Sequence, residues 1–162
     1  SGKDLSYFDP ETNMKVVPHV VAEPSLGVDR TFLVFLFDAY EYDSKRENVV
    51  LHLDPKLAPI KVAVFQLLSN KEELVAAAKK IYDELRKDFS CFYDENGSIG
   101  RRYARMDEAA TPYCVTFDFD SLKDHAVTIR DRDTTKQVRV KIKELPSILW
   151  QLLSGRTTFG KL

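Results

Sequence analysis

Residues 60–88 read IKVAVFQLLSNKEELVAAAKKIYDELRKD, and this stretch decides the fold class. IKVAVFQLL is almost continuously apolar, the pattern of a strand buried on both faces rather than on one. Asn70 followed three residues later by Glu73 has the spacing of a capping box, and Leu74, Ala78, Ile81 and Leu85 then recur at helical spacing. A doubly buried strand feeding an amphipathic helix predicts an α/β domain.

Downstream, SCFYD reads as a short strand, GSIGRRYARMDEAA as a helix beginning near Ser98, and TPYCVTFDFD as a strong strand. AVTIRDRD and QVRVKIK alternate with period two about a polar turn and predict a hairpin. ELPSILWQLLSG closes as an amphipathic helix with Pro146 in its first turn and Gly155 just past its end. The expected order is β-α-β-α-β-β-β-α: a mixed, parallel and antiparallel, sheet of about five strands flanked by about three helices around one core. Residues 156–162 are expected to fray.

Upstream, DPETN reads as a turn between extended stretches and VVPHVVA as strand. TFLVFLFDAY is apolar almost all round, which predicts a helix meant for a large core and leaves Phe32, Leu33, Phe35 and Phe37 needing cover from outside this chain. YEYDSKREN is charged and loop-like, and VVLHLDPKLAP carries two prolines. These features divide the chain into residues 1–45, a linker at 46–56, a main domain at 57–155 and the tail.

With 24 Lys and Arg against 25 Asp and Glu among 162 residues, no global field draws this chain to nucleic acid or an anionic membrane, so any charged partner needs a local patch. Cys91 and Cys114 read as buried, reduced thiols, and His19, His52 and His125 have no partners at metal-ligand spacing; no metal site is expected. No apolar run reaches transmembrane length and no signal peptide stands at the N-terminus, which points to a soluble, cytoplasmic protein without membrane contact. There is no Walker loop and no GxGxxG.

Two clusters carry candidate chemistry. GRRYAR places Arg101, Arg102, Tyr103 and Arg105 together, followed by Asp107 and Glu108, and the hairpin alternation puts Thr128, Arg130 and Arg132 on one face opposite Val127 and Ile129, with Arg139 and Lys141 alternating on the partner strand. Arginine forks suit phosphates and base edges, a tyrosine ring takes an unstacked base, and carboxylates accept from the exocyclic amine of cytosine. An ordinary solvated face, with Asp107 and Glu108 orienting the arginines through salt bridges, is the competing reading. The second cluster, EPSLGVDR, sets Glu23, Ser25 and Arg30 around Gly27, and read from the residues alone it is a strand-to-helix turn capped by Ser25 or Asp29.

Taken in order, these motifs resemble a known family over about residues 1–153. PHVVAEPSLGVDR is similar to the third signature motif of class II aminoacyl-tRNA synthetases in its glycyl form, and LAPIKVAVF, GSIGRRYARMDE, TPYCVTFDFD, VTIRDRDTTKQVRV and ELPSILWQL resemble the C-terminal anticodon-binding domain of glycyl-tRNA synthetases. The resemblance implies that Arg30 contacts the ATP γ-phosphate and acts in catalysis. It implies further that Glu23 and Ser25 contact glycine, and that Arg101, Arg102, Tyr103, Arg105, Glu108, Arg130 and Arg132 contact the anticodon of glycine tRNA. It implies ATP and Mg2+ as cofactors, and homodimerisation, for the full-length enzyme. Nothing here resembles the family's first two motifs, so this chain alone is expected to need no cofactor and to make no glycyl-adenylate. Ala110 stands where glycine is common and Gln66 where proline is frequent. The alternatives are a non-catalytic relative, as in the accessory subunit of mitochondrial DNA polymerase, and a stand-alone interaction domain.

Overall fold

A computed structural model describes residues 2–17 and 24–162; His19 and Glu23 lie outside them. The chain divides at residues 33 and 34 into two compact units. In the first, β1 (Tyr7–Asp9) and β2 (Met14–Val16) form an antiparallel pair across the expected DPETN turn. Helix α1 (Val28–Ala39) runs across the division, and of its residues only Ala39 is buried. Phe32, Leu33, Phe35 and Phe37 are exposed, as their all-round apolar pattern leads one to expect in the absence of a covering layer.

The second unit is built on a five-stranded sheet in the order β6-β5-β7-β8-β9. Strand β5 (Val62–Gln66) is interior and parallel to both β6 (Cys91–Tyr93) and the central β7 (Tyr113–Phe117), while β8 (Ala126–Asp131) and β9 (Gln137–Lys141) continue antiparallel. The continuous apolar run is explained by its neighbours: Val62 and Val64 pack with α2 (Glu72–Leu85), whereas Ala63 and Phe65 pack under α3 (Ile99–Glu108). The four helical positions read from spacing, Leu74, Ala78, Ile81 and Leu85, are the buried ones of α2. Helix α5 (Leu145–Leu153) joins α2 on its face of the sheet through Leu145, Leu149 and Leu152. A single helical turn, α4 (Ser121–Asp124), stands between β7 and β8 and was not expected.

Several local expectations change. Helix α2 begins one residue after Lys71 with no side-chain cap, so the Asn70 capping box does not form. Ser98 does cap α3, accepting from the Arg101 amide. At the head of α1, the Gly27 carbonyl accepts from both the amide and the hydroxyl of Thr31. YEYDSKREN is not a loop: β3 (Tyr40–Asp43) and β4 (Asn48–Leu51) form a hairpin that enters the stretch read as linker and packs on α3 with Val50 wholly buried. Nor does the tail fray. Phe159 is buried and its ring stacks on Tyr113 at 6.3 Å, anchoring a final 3-10 turn.

Cys114 is buried and Cys91 half-buried, both free; burial pushes their thiols up to about 12 and about 11. They are unreactive packing residues.

Helix α3 ends in a Schellman motif: the Thr111 amide donates to Met106 O and the Ala110 amide to Asp107 O, with Ala110 itself at φ +60°. A Cβ in left-handed backbone costs roughly 1–2 kcal/mol. Ala110→Gly is therefore expected to raise stability by about 1 kcal/mol, read as a shifted urea midpoint at unchanged slope.

Candidate nucleic-acid interface

The two arginine clusters meet across the α3 face of the sheet, but most of their charge is turned inward. Arg130 makes a bidentate pair with Asp107, with Nη1 at 2.8 Å and Nη2 at 2.9 Å from its two oxygens, and lies 4.8 Å over the Tyr103 ring. Burial works against the Arg130 charge, and the hydrogen bonds and charge of Asp107 outweigh it, so its pKa rises on balance. Arg46, from the β3–β4 hairpin, donates to the same carboxylate at 3.3 Å and to the carbonyls of Arg132 and Asp133 at 2.7 and 2.8 Å.

Arg102 is only 1% exposed and donates to the Gln66, Leu67 and Asp94 carbonyls at 2.6, 3.2 and 3.4 Å, tying α3 to the ends of two parallel strands. Burial lowers its pKa. Arg132 is equally hidden, donating to Ala110 O and Leu53 O and chelating the Asp133 carboxylate. The Tyr103 ring stands edge-on to Phe65 and its hydroxyl meets Thr116 at 2.7 Å. The expectation that Arg102, Arg130 and Arg132 present their guanidinium groups to solvent, and Tyr103 an open ring, is therefore corrected. For Asp107 the geometry matches the competing reading, a carboxylate that orients arginines. For Arg130 and Arg132 the reason is the hairpin and the residues that follow it, which bring Arg46 and the Leu53 carbonyl to these groups from a segment read as loop and linker; Arg102 and Tyr103 are instead turned by α3 onto the strand ends and the sheet.

Three members of the set face outward: Arg101, Arg105 and Glu108. Arg105 is paired with Asp94 and the Asn96 carbonyl, while Arg101 has no ion pair among the described residues. Ser25 and Arg30 are exposed, Arg30 in the first turn of α1. Glu23 lies outside the described residues, so whether it joins them is not part of the described structure.

A site that the sequence did not announce sits at the carboxyl ends of the parallel strands. The chain leaves β5 through α2 toward β6, then returns through α3 on the other face to β7, so the order reverses between β5 and β7. In open α/β sheets ligands bind at such a reversal. Here it opens a crevice of about 420 Å³ lined by Asn70, Lys71, Glu72, Glu73 and Leu74 from one side and by Phe119 and Leu122 from the other. Phe119 is 43% exposed and offers a ring face, the carboxylates accept from exocyclic amines, and Lys71 and Asn70 donate. At the same edge of the sheet, the Gln66 Oε1 and Arg102 Nε atoms are buried without a partner among the described residues. The available signal is a phenylalanine flanked by Asp118 and Asp120, but the sequence does not separate it from the strand, since TPYCVTFDFD reads as strand throughout.

The far wall is held by Arg139, which donates to Asp124 at 2.6 and 3.0 Å and to Asp118 at 2.9 and 3.2 Å. Arg139 stays exposed, as the alternation predicts, but its guanidinium is paired with two carboxylates.

The fold and this edge place the chain. Residues 61–152 match the anticodon binding domain family, and the chain belongs to it. Its similar relatives carry a more particular name. It is 56% identical over 150 residues to the glycine–tRNA ligase of Acetivibrio thermocellus, covering 91% of this chain and 32% of the relative. It is 53% identical over 152 residues to that of Clostridium acetobutylicum, covering 92% and 32%, and 48% identical over 162 residues to that of Thermobifida fusca, covering 96% and 35%. The chain thus spans about a third of the length of these relatives. No described helix is long and apolar enough to cross a membrane, and no cluster of potential metal ligands occurs among the described residues.

Two outcomes are expected. Asp107→Ala leaves the Arg130 charge buried and unpaired, a change that costs about 3–5 kcal/mol, to be measured by urea unfolding. The second concerns acid. Hydrogen bonds from Arg139 hold the Asp124 carboxyl at about 2, against an ordinary 3.8, and although burial raises Asp118, its bonds to Arg139 and Ser121 lower it on balance. Folded pKa values below the unfolded ones mean that this ordering is complete above the ordinary aspartate range and is lost as pH falls from about 4 toward 2. Amide protection across residues 118–126, relative to the intrinsic exchange rate at each pH, is expected to fall over that window.

Proposed function

We propose that this chain is the anticodon-binding part of a glycine–tRNA ligase, with residues 1–45 the end of its catalytic domain. The observation that carries the reading is the coincidence of the family match with the five-stranded domain: residues 61–152 run from the first strand of the sheet to the last turns of α5, and the strand reversal inside that span opens a crevice with room for a base. The glycine–tRNA ligase name of the similar relatives supports the choice of tRNA.

An unstacked anticodon base enters between α2 and the β7–α4 connection and lies against Phe119, where stacking is worth roughly 1–3 kcal/mol. Glu72, Glu73 and Asn70 meet its edge, and cytosine, whose exocyclic amine is a donor, suits two carboxylates. Arg101, Arg105 and Glu108 on the outer face of α3 contact the neighbouring anticodon loop. Arg102, Arg130, Arg132 and Tyr103 serve binding as framework, keeping α3 and the hairpin in register with the sheet.

In the full-length enzyme, a homodimer of the cytoplasm, glycine and ATP give glycyl-adenylate and pyrophosphate, and the glycyl group passes to the 3′ end of glycine tRNA. Arg30 holds the γ-phosphate, while Ser25 and Glu23 hold glycine, a substrate without a side chain to grip. Mg2+ accompanies ATP and supplies charge neutralisation there. The exposed first turn of α1 supports a role for Arg30 in contact with substrate. This chain by itself binds RNA and does not catalyse.

The test is a titration of the chain with an anticodon stem-loop of glycine tRNA and with the same stem-loop carrying uridine in place of the anticodon cytosines, at two salt concentrations. Tighter binding of the cognate loop is expected. Phe119→Ala is expected to weaken it by about fivefold to a hundredfold or more. Arg101→Ala is expected to weaken both loops alike and to reduce the salt slope by roughly 0.7–0.9. Equal affinity for the two loops in the wild-type chain overturns the reading.

A further inference from the structure

Residues 118–125, which link β7 to β8, carry Phe119 and Leu122 into the crevice wall; their anchors include the buried Ser121, whose Oγ accepts from the Asp118 amide at 3.1 Å, Lys141 Nζ on the Asp124 carbonyl at 2.7 Å and the Ile142 amide on the His125 carbonyl at 3.0 Å. Their one helical turn, α4, is four residues long, its N-cap residue Asp120 makes no side-chain cap bond, and it stops at His125 in left-handed backbone at φ +51°. So short a helix has no stability of its own. Phe119 and Leu122 are themselves 43% and 40% exposed, so burial does not fix them either.

The one side chain that ties both ends of the segment together reaches it from two strands away. Arg139 on β9 stands opposite Thr128 of β8 and passes across it toward the carboxyl end of β7. Its Nε donates to Asp124 Oδ2 at 2.6 Å, its Nη1 to Asp118 Oδ2 at 2.9 Å and weakly to Thr128 Oγ1 at 3.4 Å, and its Nη2 to Asp118 Oδ1 at 3.2 Å and Asp124 Oδ1 at 3.0 Å. The two carboxylates also organise backbone: Asp118 accepts from the Ser121 amide and hydroxyl, and Asp124 from the Ala126 amide, each at 2.9 Å. One planar guanidinium therefore pins both ends of the connection, and the residues between the pins are the ones at the crevice.

We propose that Arg139 is a positioning residue for the crevice, setting Phe119 and Leu122 at the height where a base is stacked. All three of its nitrogens are engaged with groups of the protein, which leaves Arg139 no free donor for a phosphate. A fork is required: a lysine ammonium, a single charge centre, does not bracket two carboxylates in fixed geometry. This inference rests on the crevice being where a base binds.

The experiment uses the whole chain with Arg139→Ala, Arg139→Lys, Phe119→Ala and the double variant Arg139→Ala with Phe119→Ala. The probes are the cognate stem-loop and its uridine-substituted counterpart. In Arg139→Ala, amides 121–126 are expected to exchange at least tenfold faster while α2 and β5 keep their protection. The preference for the cognate loop falls about tenfold at unchanged salt slope, Arg139→Lys does not restore it, and the double variant discriminates no less than Phe119→Ala alone. The last result separates positioning from a general loss of structure, which would add to the effect of Phe119→Ala. Unchanged exchange at 121–126 overturns the proposal whatever RNA does, and so does a salt slope shallower by roughly 0.7–0.9, the mark of a lost phosphate. A wild-type chain that fails to discriminate overturns the crevice reading instead, and the exchange result alone then decides whether Arg139 positions the connection.

Discussion

The Asp107 carboxylate is the point on which this molecule turns. It is 1% exposed and receives two cations, Arg130 from the sheet and Arg46 from the β3–β4 hairpin, so a single side chain of α3 ties together the helix, the sheet beneath and the hairpin above it. A lone carboxylate at that depth would be untenable, since desolvating a charge costs several kcal/mol; what makes it stable is that both oxygens are matched by a fork and a second donor. The same logic repeats around it. Arg102 spends its donors on carbonyls at the ends of β5 and in the loop after β6, and Arg132 on carbonyls from the end of α3 and the segment after β4.

These fasteners explain why so little free positive charge appears where the arginines of this chain are densest. The guanidinium groups act as multidentate bridges between elements whose own backbone ends leave carbonyls over, a role a lysine fills poorly. Open space lies instead at the loops of the carboxyl edge, where the order of the strands reverses and the crevice is found. Rigid framework and open edge are complementary: α3 is locked by buried ions, so the loops beside it are displayed from a fixed base.

Much of the fold was legible because its signals are local. The unbroken apolar run of β5, the helical spacing of Leu74, Ala78, Ile81 and Leu85, the Ser98 cap and the alternation of β8 and β9 each occupy one short window. The failures are equally specific. YEYDSKREN reads as loop because its charges are counted one by one, whereas the hairpin is held by Arg46 contacts with residues about sixty and more than eighty positions away. Phe159 looks like a frayed end until Tyr113 is placed beneath it. Ala110 in a glycine-like position was visible as an oddity, and its positive φ is the cause.

The sequence by itself determined the α/β class, the order of the elements of the main domain and the membership of an anticodon-binding family, because periodicity, caps and ordered motifs survive in one dimension. Tertiary structure alone decided which arginines are free. Arg101 and Arg102 are neighbours of the same chemical type, yet helical geometry turns one to solvent and the other into the ends of two strands. It also decided where a ligand can enter, since a crevice between β5 and β7 exists only once the chain has crossed the sheet on one face and returned on the other.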